Sequence, residues 1–412
     1  MSSKSTDFSR RLARVLENAA ERLEFEQALQ SLGANPPIVL RRNRLRKCLQ
    51  SEYQSWVAGP VAWSPDSFFA KTELRSAFKN HPYVQSGALY WQEGAATEAV
   101  EVLDPQPDDL VLDLCAAPGS KATHIAERLA YGQGWLWANE VNRGRAGKLA
   151  DILARHGAIW STVSAMPGTS MVERFTEVFD CVLLDAPCSG ESLFAKRAED
   201  RADVTDRDVH QCVEIQRGLL ENALDLAKPG GKILYSTCTY NLEENEEVVA
   251  WLKQNRPGEF EVISESRRWP HRDGVPGGYM ALLKKSGVIK TTSVETLKLQ
   301  DWKGIVTSGG QGWDGEMNDY AFLMSPVDLI DKRVPRSMQK DPATYNLRKF
   351  ESLEIDDLAL AQSYLSGQAI RDSRIESSKF YRLVFKGCPI GGGKGVEGRL
   401  NSFLPKGLRV VG

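Results

Sequence analysis

Histidine, paired cysteines and long apolar runs are all scarce in this chain of 412 residues. With five histidines and no Cys-x-x-Cys pair, a structural zinc site is not expected, nor any other metal centre. Seven cysteines, an odd number without a paired framework, point to reduced thiols rather than disulfides. No apolar run approaches the roughly 20 residues that cross a bilayer. Met1 to Arg14 is polar and charged, without the apolar core of a secretory signal, so the cytoplasm is the expected compartment. A net charge of -2 lacks the overall basic excess of many nucleic-acid binders, which leaves only local patches to do such work. The densest is Arg41-Arg42-Asn43-Arg44-Leu45-Arg46-Lys47. What the chain has is 42% hydrophobic and 26% charged residues, a globular composition, and more length than one ordinary domain needs.

Texture divides the chain into three. Residues 1–95 mix helical patterning, from Phe8 to Leu32, with a Pro/Gly/Trp-rich stretch from Gly59 to Phe69. Residues 96–286 alternate short apolar strands with helical segments, the pattern of a parallel α/β sheet. Residues 287–412 lose that alternation and end in a basic, glycine-rich stretch with Lys386, Lys394, Arg399 and Lys406. In the middle region, strands are predicted at Val111–Leu114, Trp135–Asn139, Ile159–Val163, Asp180–Asp185, Lys232–Thr237, Phe260–Ser264 and Tyr279–Lys284. Helices should follow Gly119, Asn142, Asp206 and Leu242, the third stopping at Lys228-Pro-Gly-Gly231. Seven strands with intervening helices give a doubly wound α/β fold, whose ligands sit at the carboxyl ends of strands.

Four segments fall at those ends. The run Val111-Leu-Asp-Leu-Cys-Ala-Ala-Pro-Gly-Ser-Lys121 takes an apolar strand through small residues into a helix, where backbone can approach a ligand closely. It is neither the GxGxxG fingerprint nor a phosphate loop. Glu140 ends the next strand, about 20 positions on, where a carboxylate can accept from ribose hydroxyls; with the first segment it favours an adenosine-containing cofactor. Asp185-Ala-Pro-Cys-Ser-Gly190 puts a carboxylate and a thiol three residues apart after Cys181-Val-Leu-Leu184. Ser236-Thr-Cys-Thr-Tyr240 puts a second thiol after Ile233-Leu-Tyr235. A buried cysteine is usually inert, the reading that suits Cys48, Cys181 and Cys212. Cys188 and Cys238, at two strand ends facing one crevice, stand apart.

These segments, DLCAAPGSK, DAPCSGE, YSTCTYNLEENEEV and Arg268-Trp-Pro-His-Arg272, resemble the NOP/SUN family of RNA cytosine-C5 methyltransferases over about residues 36–286. Tyr381-Arg-Leu-Val-Phe-Lys-Gly-Cys-Pro389 and Leu404-Pro-Lys-Gly-Leu-Arg409 are further similar to its bacterial members that modify small-subunit (16S) ribosomal RNA. The resemblance implies a Rossmann-like class I methyltransferase domain of seven strands over 96–286. It also implies an RNA-binding α+β extension over 1–95 and a PUA-like RNA-docking region over 287–412. It implies S-adenosylmethionine as methyl donor, lying along Cys115, Ala116, Ala117, Pro118, Gly119, Ser120 and Lys121 with Glu140 on its ribose. Cys238 would be the nucleophile that adds to cytosine carbon 6, and Cys188 the residue that assists release. Asp185 would orient the base, beside an active-site Lys121. A thiolate is required, so a nearby cation or helix N-terminus should lower the pKa of Cys238; Lys121 and a helix from about Leu242 are the candidates. The basic run near residue 41 falls where the family contacts RNA, and Tyr90, Trp91 and Phe194 could stack on a displaced base.

Two departures stand out. The family's aspartate after its third strand, which holds the adenine amino group, is missing from Ser161-Thr-Val-Ser-Ala-Met-Pro-Gly168, where Ser164 or a carbonyl would have to substitute. The family's Gly-Glu-Gly-His-Phe becomes Pro276-Gly-Gly-Tyr-Met280. The catalytic segments do not separate ribosomal from transfer RNA as substrate. A non-catalytic RNA-binding assembly factor is disfavoured, because both cysteines, Asp185 and Lys121 are present.

Overall fold

The computed structural model describes residues 3–34, 36–46, 50–158, 160–192, 204–287, 350–404 and 409. Lys47, Cys48, Ile159, Phe194 and Lys406 lie outside the described residues. Two helices, Ser3–Val15 and Ala19–Ala34, open the chain. A small antiparallel sheet follows, of β1 (Ile38–Arg42), β2 (Val57–Pro60), β3 (Ser67–Ala70) and β4 (Leu89–Gln92), in the order β2-β3-β1-β4.

The central sheet has the seven expected strands: β5 (Leu110–Asp113), β6 (Trp135–Asn139), β7 (Ser161–Ser164), β8 (Phe179–Asp185), β9 (Ala227–Thr237), β10 (Phe260–Arg268) and β11 (Gly278–Lys285). Their order is β10-β11-β9-β8-β5-β6-β7. Neighbours from β9 to β7 run parallel, while β11 pairs antiparallel with both β9 and β10. Strands covered on both faces must be apolar almost throughout, and Val111, Leu112, Val182, Leu183 and Leu184 are accordingly buried. The chain leaves β5 toward one edge and returns through β8 on its other side. The carboxyl ends of β5 and β8 therefore flank the switch in strand order where such sheets bind ligands.

Three local expectations change. The helix Asp206–Leu226, opened by a capping box between Thr205 and Asp208, ends two residues before Lys228. The Lys-Pro-Gly-Gly segment then lies inside β9, where Lys228 Nζ reaches Asp180 Oδ1 at 2.7 Å and the register with β8 slips. The helix expected from Leu242 starts only at Glu246. Asn241 Oδ1 takes the Glu244 N–H at 2.8 Å, and that local bond holds a turn in place of the first helical turn. A short helix, Gly168–Phe175, occupies the β7–β8 connection and was not anticipated.

The third sheet comprises β12 (Phe350–Ile355), β13 (Ile370–Arg371), β14 (Phe380–Phe385), β15 (Cys388–Val396) and β16 (Arg399–Ser402), in the order β12-β14-β15-β16-β13. Its core continues into the first sheet: Ile38, Leu40, Phe68 and Tyr83 share one buried cluster with Leu353, Tyr364, Leu383 and Phe385. Lys386 Nζ also meets Glu52 at 2.9 Å across that seam. Cys388, fully buried, is disulfide-bonded. That departs from the expectation of reduced thiols throughout, while Cys115, Cys181, Cys188, Cys212 and Cys238 are free. Among the described residues no helix is long and apolar enough to cross a membrane, and no cluster of side chains could hold a metal ion.

Candidate active site

The two singled-out thiols touch. Cys188 Sγ and Cys238 Sγ are 3.2 Å apart, because β8 and β9 are adjacent, with Cys188 three residues past the end of β8 and Cys238 one past the end of β9. Lys121, from the first turn of the helix Ser120–Leu129, lies beside them with Nζ 2.7 Å from Asp185 Oδ2. Ser236 Oγ donates to the other Asp185 oxygen at 2.8 Å. One small space thus gathers four groups from the ends of β5, β8 and β9.

The electrostatics distinguish the two sulfurs. The contact with Cys188 lowers the Cys238 pKa, and the Lys121 ammonium works in the same direction. Together these outweigh burial and the Asp185 charge, so Cys238 is held below the usual thiol range. Cys188 is pushed well up by its bond to Cys238, by burial and by the negative charge of Glu244. Two sulfurs in contact cannot both be anions, so one thiolate and one thiol is the stable pairing. Burial opposes the Lys121 ammonium, but Asp185 outweighs it and raises its pKa. Of the two candidates for activating Cys238, Lys121 is in place, whereas the helix starts four residues later than expected.

The loop from Cys115 to Ser120 joins β5 to the next helix at the crevice. Gly119 has φ +117, and a Cβ there would stand 3.1 Å from Ile152 and Leu149 side-chain carbons, so only glycine serves. Glu140 ends β6, where it accepts from the Asn142 N–H at 2.9 Å and meets Arg145 NH1 at 3.1 Å. Arg145 also donates to Ala117 O at 2.9 Å, tying Glu140 to the loop. Ser164 is differently placed. Its buried hydroxyl donates to Asn139 Oδ1 and accepts from Trp137 Nε1, both at 2.7 Å, so it is spent inside the sheet. Asn139 also takes the Met166 N–H at 3.0 Å and donates to Met166 O at 2.9 Å, bracing the turn after β7.

Several residues of the site went unnoticed in the sequence. Asp113 is buried within β5 beside Asp185, and its oxygens make no hydrogen bond of ordinary geometry; the Cys115 amide only tempers the charge. Burial first, and the Asp185 charge second, push Asp113 up to about 8. A lone carboxylate inside the apolar run Val-Leu-Asp-Leu was the available signal. Glu191, immediately after the Pro-Cys-Ser-Gly turn, takes the Tyr240 and Asn241 N–H groups at 2.9 and 3.0 Å and the Thr239 hydroxyl at 2.7 Å. Arg11 of the first helix clamps Glu191 at 3.1 Å and Asp206 at 2.7 Å. Nothing near Arg11 in the sequence hints at this.

The basic run divides. Arg41 is fully buried, paired with Glu127 and bonded to Gln92 Oε1 at 3.0 Å and Thr123 Oγ1 at 2.9 Å. Arg46 is also buried and donates to Arg155 O at 2.5 Å, while Arg42 and Arg44 share Asp66. The expected RNA-facing run is largely an internal tie between the first sheet and the central one. Tyr90 and Trp91 are half-buried beneath Arg41 and Arg75. Lys394 and Arg399 are exposed, Lys394 over the Phe380 ring at 5.8 Å and Arg399 3.9 Å from Glu397.

Comparison with known proteins agrees with this geometry. Residues 100–284 match the family described as 16S rRNA methyltransferase RsmB/F, and residues 351–410 match the methyltransferase RsmF PUA domain. Over those residues the chain is similar to the RsmB/F family. Ribosomal RNA small subunit methyltransferase F of Cronobacter sakazakii is 31% identical over 264 residues, 59% of this chain and 55% of its own length. Its Escherichia coli counterpart is 32% identical over 234 residues, 56% of this chain and 47% of its own. The chain spans about half the length of the curated relatives it matches. A methyltransferase homolog protein from Pyrococcus horikoshii has a solved structure that is 26% identical, with TM-score 0.58, covering 69% of this chain and 100% of that one. The RsmB/F match takes in all of β5 to β9 and both cysteine loops, and the PUA match takes in nearly the whole third sheet.

Proposed function

We propose that this chain is an S-adenosylmethionine-dependent RNA cytosine-C5 methyltransferase that acts on the ribosomal RNA of the small subunit, in the cytoplasm. The observation that carries the proposal is the pair of touching thiols beside Lys121 and Asp185, 3.2 Å apart at neighbouring strand ends. Carbon 5 of cytosine is a weak nucleophile. Addition of the Cys238 thiolate to carbon 6 forms a C–S bond and turns the ring into an enamine-like species whose carbon 5 is electron-rich. Asp185, steadied by Lys121 and Ser236, is the group that would hydrogen-bond the base edge and hold carbon 6 over Cys238. After carbon 5 is substituted, its proton must leave before the Sγ–C6 bond can break. Cys188, whose thiol lies against Cys238, is the residue suited to assist that step.

S-adenosylmethionine, when bound, supplies the methyl group as a sulfonium. The residues present fit such a cation-bearing ligand. Asp113 keeps a buried carboxylate without an ordinary hydrogen bond beside the crevice, and Gly119 leaves backbone bare. The loop from Cys115 to Lys121 and Glu140 would hold the ligand. The first sheet and the third sheet would dock RNA, which must present an unstacked base.

The test follows methyl transfer to small-subunit RNA with tritiated cofactor, and cofactor affinity by calorimetry. Cys238→Ala should lose at least about a thousandfold in rate with affinity little changed. Cys188→Ala should instead accumulate a covalent RNA adduct on denaturing gels. An adduct that needs Cys188 and survives loss of Cys238 would reverse the two roles. Bisulfite sequencing of ribosomal and transfer RNA, with and without the gene, decides the substrate.

A further inference from the structure

Between the two loops that carry the cysteine pair sits a buried carboxylate that the proposed chemistry does not use. Glu244 is fully buried and accepts four hydrogen bonds. They come from Ser189 N at 2.9 Å, from the Ser189 hydroxyl, from Gln216 Nε2 at 2.8 Å and from Asn241 Nδ2 at 2.8 Å. Ser189 adjoins Cys188, and Asn241 follows Cys238 by three residues, so this one side chain fastens both cysteine loops. No salt bridge to Glu244 occurs among the described residues, and its charge is answered only by neutral donors.

We infer that Glu244 is a positioning residue which, together with Lys121, assigns the thiolate of the touching pair to Cys238 and keeps Cys188 protonated. This rests on the proposed methyltransferase reading. The two sulfurs are 3.2 Å apart, so a single proton between them goes to whichever sulfur lies in the more negative field. The charged and titratable groups around them fall on two sides. Lys121 and Asp185, from the ends of β5 and β8, act on Cys238, and the Ser192 hydroxyl adds a hydrogen bond. Glu244, from the turn after β9, acts on Cys188. Cys212, from the helix Asp206–Leu226, and Tyr235 of β9 lie within range of the same group, with burial holding both in their neutral forms. Lys121 and Asp185 are themselves an ion pair, so their fields partly cancel at the sulfurs and the uncompensated charge of Glu244 gains weight.

The consequence is a division of labour built before any RNA arrives. A thiolate at Cys238 is ready to attack, and a protonated neighbour at Cys188 does not compete for carbon 6. Neutralising Glu244 should let the proton move and the anion spread over both sulfurs.

The experiment is alkylation of the full chain with iodoacetamide across pH 6–9, with each cysteine's rate read by peptide mass spectrometry. Thiolate, not thiol, is alkylated, so the rate ratio reports where the charge sits. Wild type should label Cys238 well ahead of Cys188. Glu244→Gln should cut the Cys238:Cys188 ratio by about tenfold or more, one pKa unit of relative shift. Glu244→Asp keeps the charge and should retain most of the ratio, and Ser189→Ala, which removes a bond but no charge, should leave it near wild type. A wild-type ratio that survives in a folded Glu244→Gln overturns the inference, as does a Ser189→Ala loss as large as that of Glu244→Gln. If Glu244→Gln does not fold, Glu244→Asp and Ser189→Ala decide: equal losses in both mark a purely structural hub, and a retained ratio in both supports the charge. A wild type that labels Cys188 first sinks the nucleophile assignment itself, a result distinct from either.

Discussion

Two charged clusters look equally functional in the sequence, and the fold treats them in opposite ways. The run from Arg41 to Arg46 meets carboxylates and carbonyls already inside the protein: Glu127, Asp66, Gln92 and the Arg155 carbonyl. At the crevice, Asp113 is left without an ordinary hydrogen bond, and two cysteine sulfurs lie in contact. The difference teaches where to look for ligands. A charge that the fold has answered is part of the architecture, while a buried polar group left unanswered carries a cost that a ligand can relieve.

The sharpest way to break this comparison is Arg41→Met. Glu127 would keep only His156 and the Arg44 backbone N–H beside it in a fully buried site, so stability should fall by roughly 3–5 kcal/mol. Urea unfolding measures the loss, and cofactor affinity of the folded fraction should not change. A small stability loss with weakened RNA binding would return the run to the RNA-facing role.

Next comes Asp113. Folding raises its pKa to about 8, so between roughly pH 4 and 8 the folded chain holds a proton that the unfolded chain has shed. Stability of the ligand-free protein should therefore fall as pH rises through that window, by up to about 1.4 kcal/mol per unit. Asp113→Asn should flatten this dependence in thermal melts and weaken cofactor binding. Melts that keep the wild-type slope would show that Asp113 is not the group responsible.

Ser164→Asp tests the missing acidic residue. Read from sequence alone, an added carboxylate there should tighten cofactor binding. The structure reverses the sign, because Ser164 donates to Asn139 Oδ1, and an aspartate would set acceptor against acceptor in a buried site. A stability loss of about 1–3 kcal/mol with no gain in affinity is expected. Tighter binding would mean that the turn after β7 rearranges.

The smallest effect is expected at exposed cations. Charge reversal at Lys394 and Arg399 should lower the slope of log affinity against log salt for RNA by about one to two. Arg44→Ala, whose charge is already shared with Asp66, should leave that slope unchanged. Equal responses from both would dissolve the distinction.

Much of this was legible in advance, for definite reasons. The inner strands β5 and β8 announce themselves as apolar runs, because strands buried on both faces have little freedom in composition. Cys188 and Cys238 stood out because distinctive segments carry them past two strand ends, and Asp185 and Lys121 through the resemblance of those segments to the NOP/SUN family. The fate of Arg41 was not legible, since a buried arginine and a solvated one are spelled alike and the partner, Glu127, lies 86 residues away. The same holds for Ser164, committed by Trp137 and Asn139, and for Glu191, whose clamp arrives from the far end of the chain. The turn at Asn241 hid for a different reason: an acidic, helix-favouring stretch outvoted one asparagine.

The clamp of Arg11 on Glu191 and Asp206 spans 180 and 195 residues of sequence, and it gives assembly a schedule. The first helix leaves the ribosome well before the segments that seat it, and its seat does not exist until the chain has grown past Tyr240. At about 5–20 residues per second, that wait lasts on the order of ten to forty seconds. Throughout it, Phe8, Leu12 and Leu16, all buried in the finished protein, have only Phe25 and Leu29 of the second helix to rest on, without Tyr240 and Trp269. The growing polypeptide thus carries an uncovered greasy segment and an unformed reaction centre together, and the docking of one short helix ends both conditions at once.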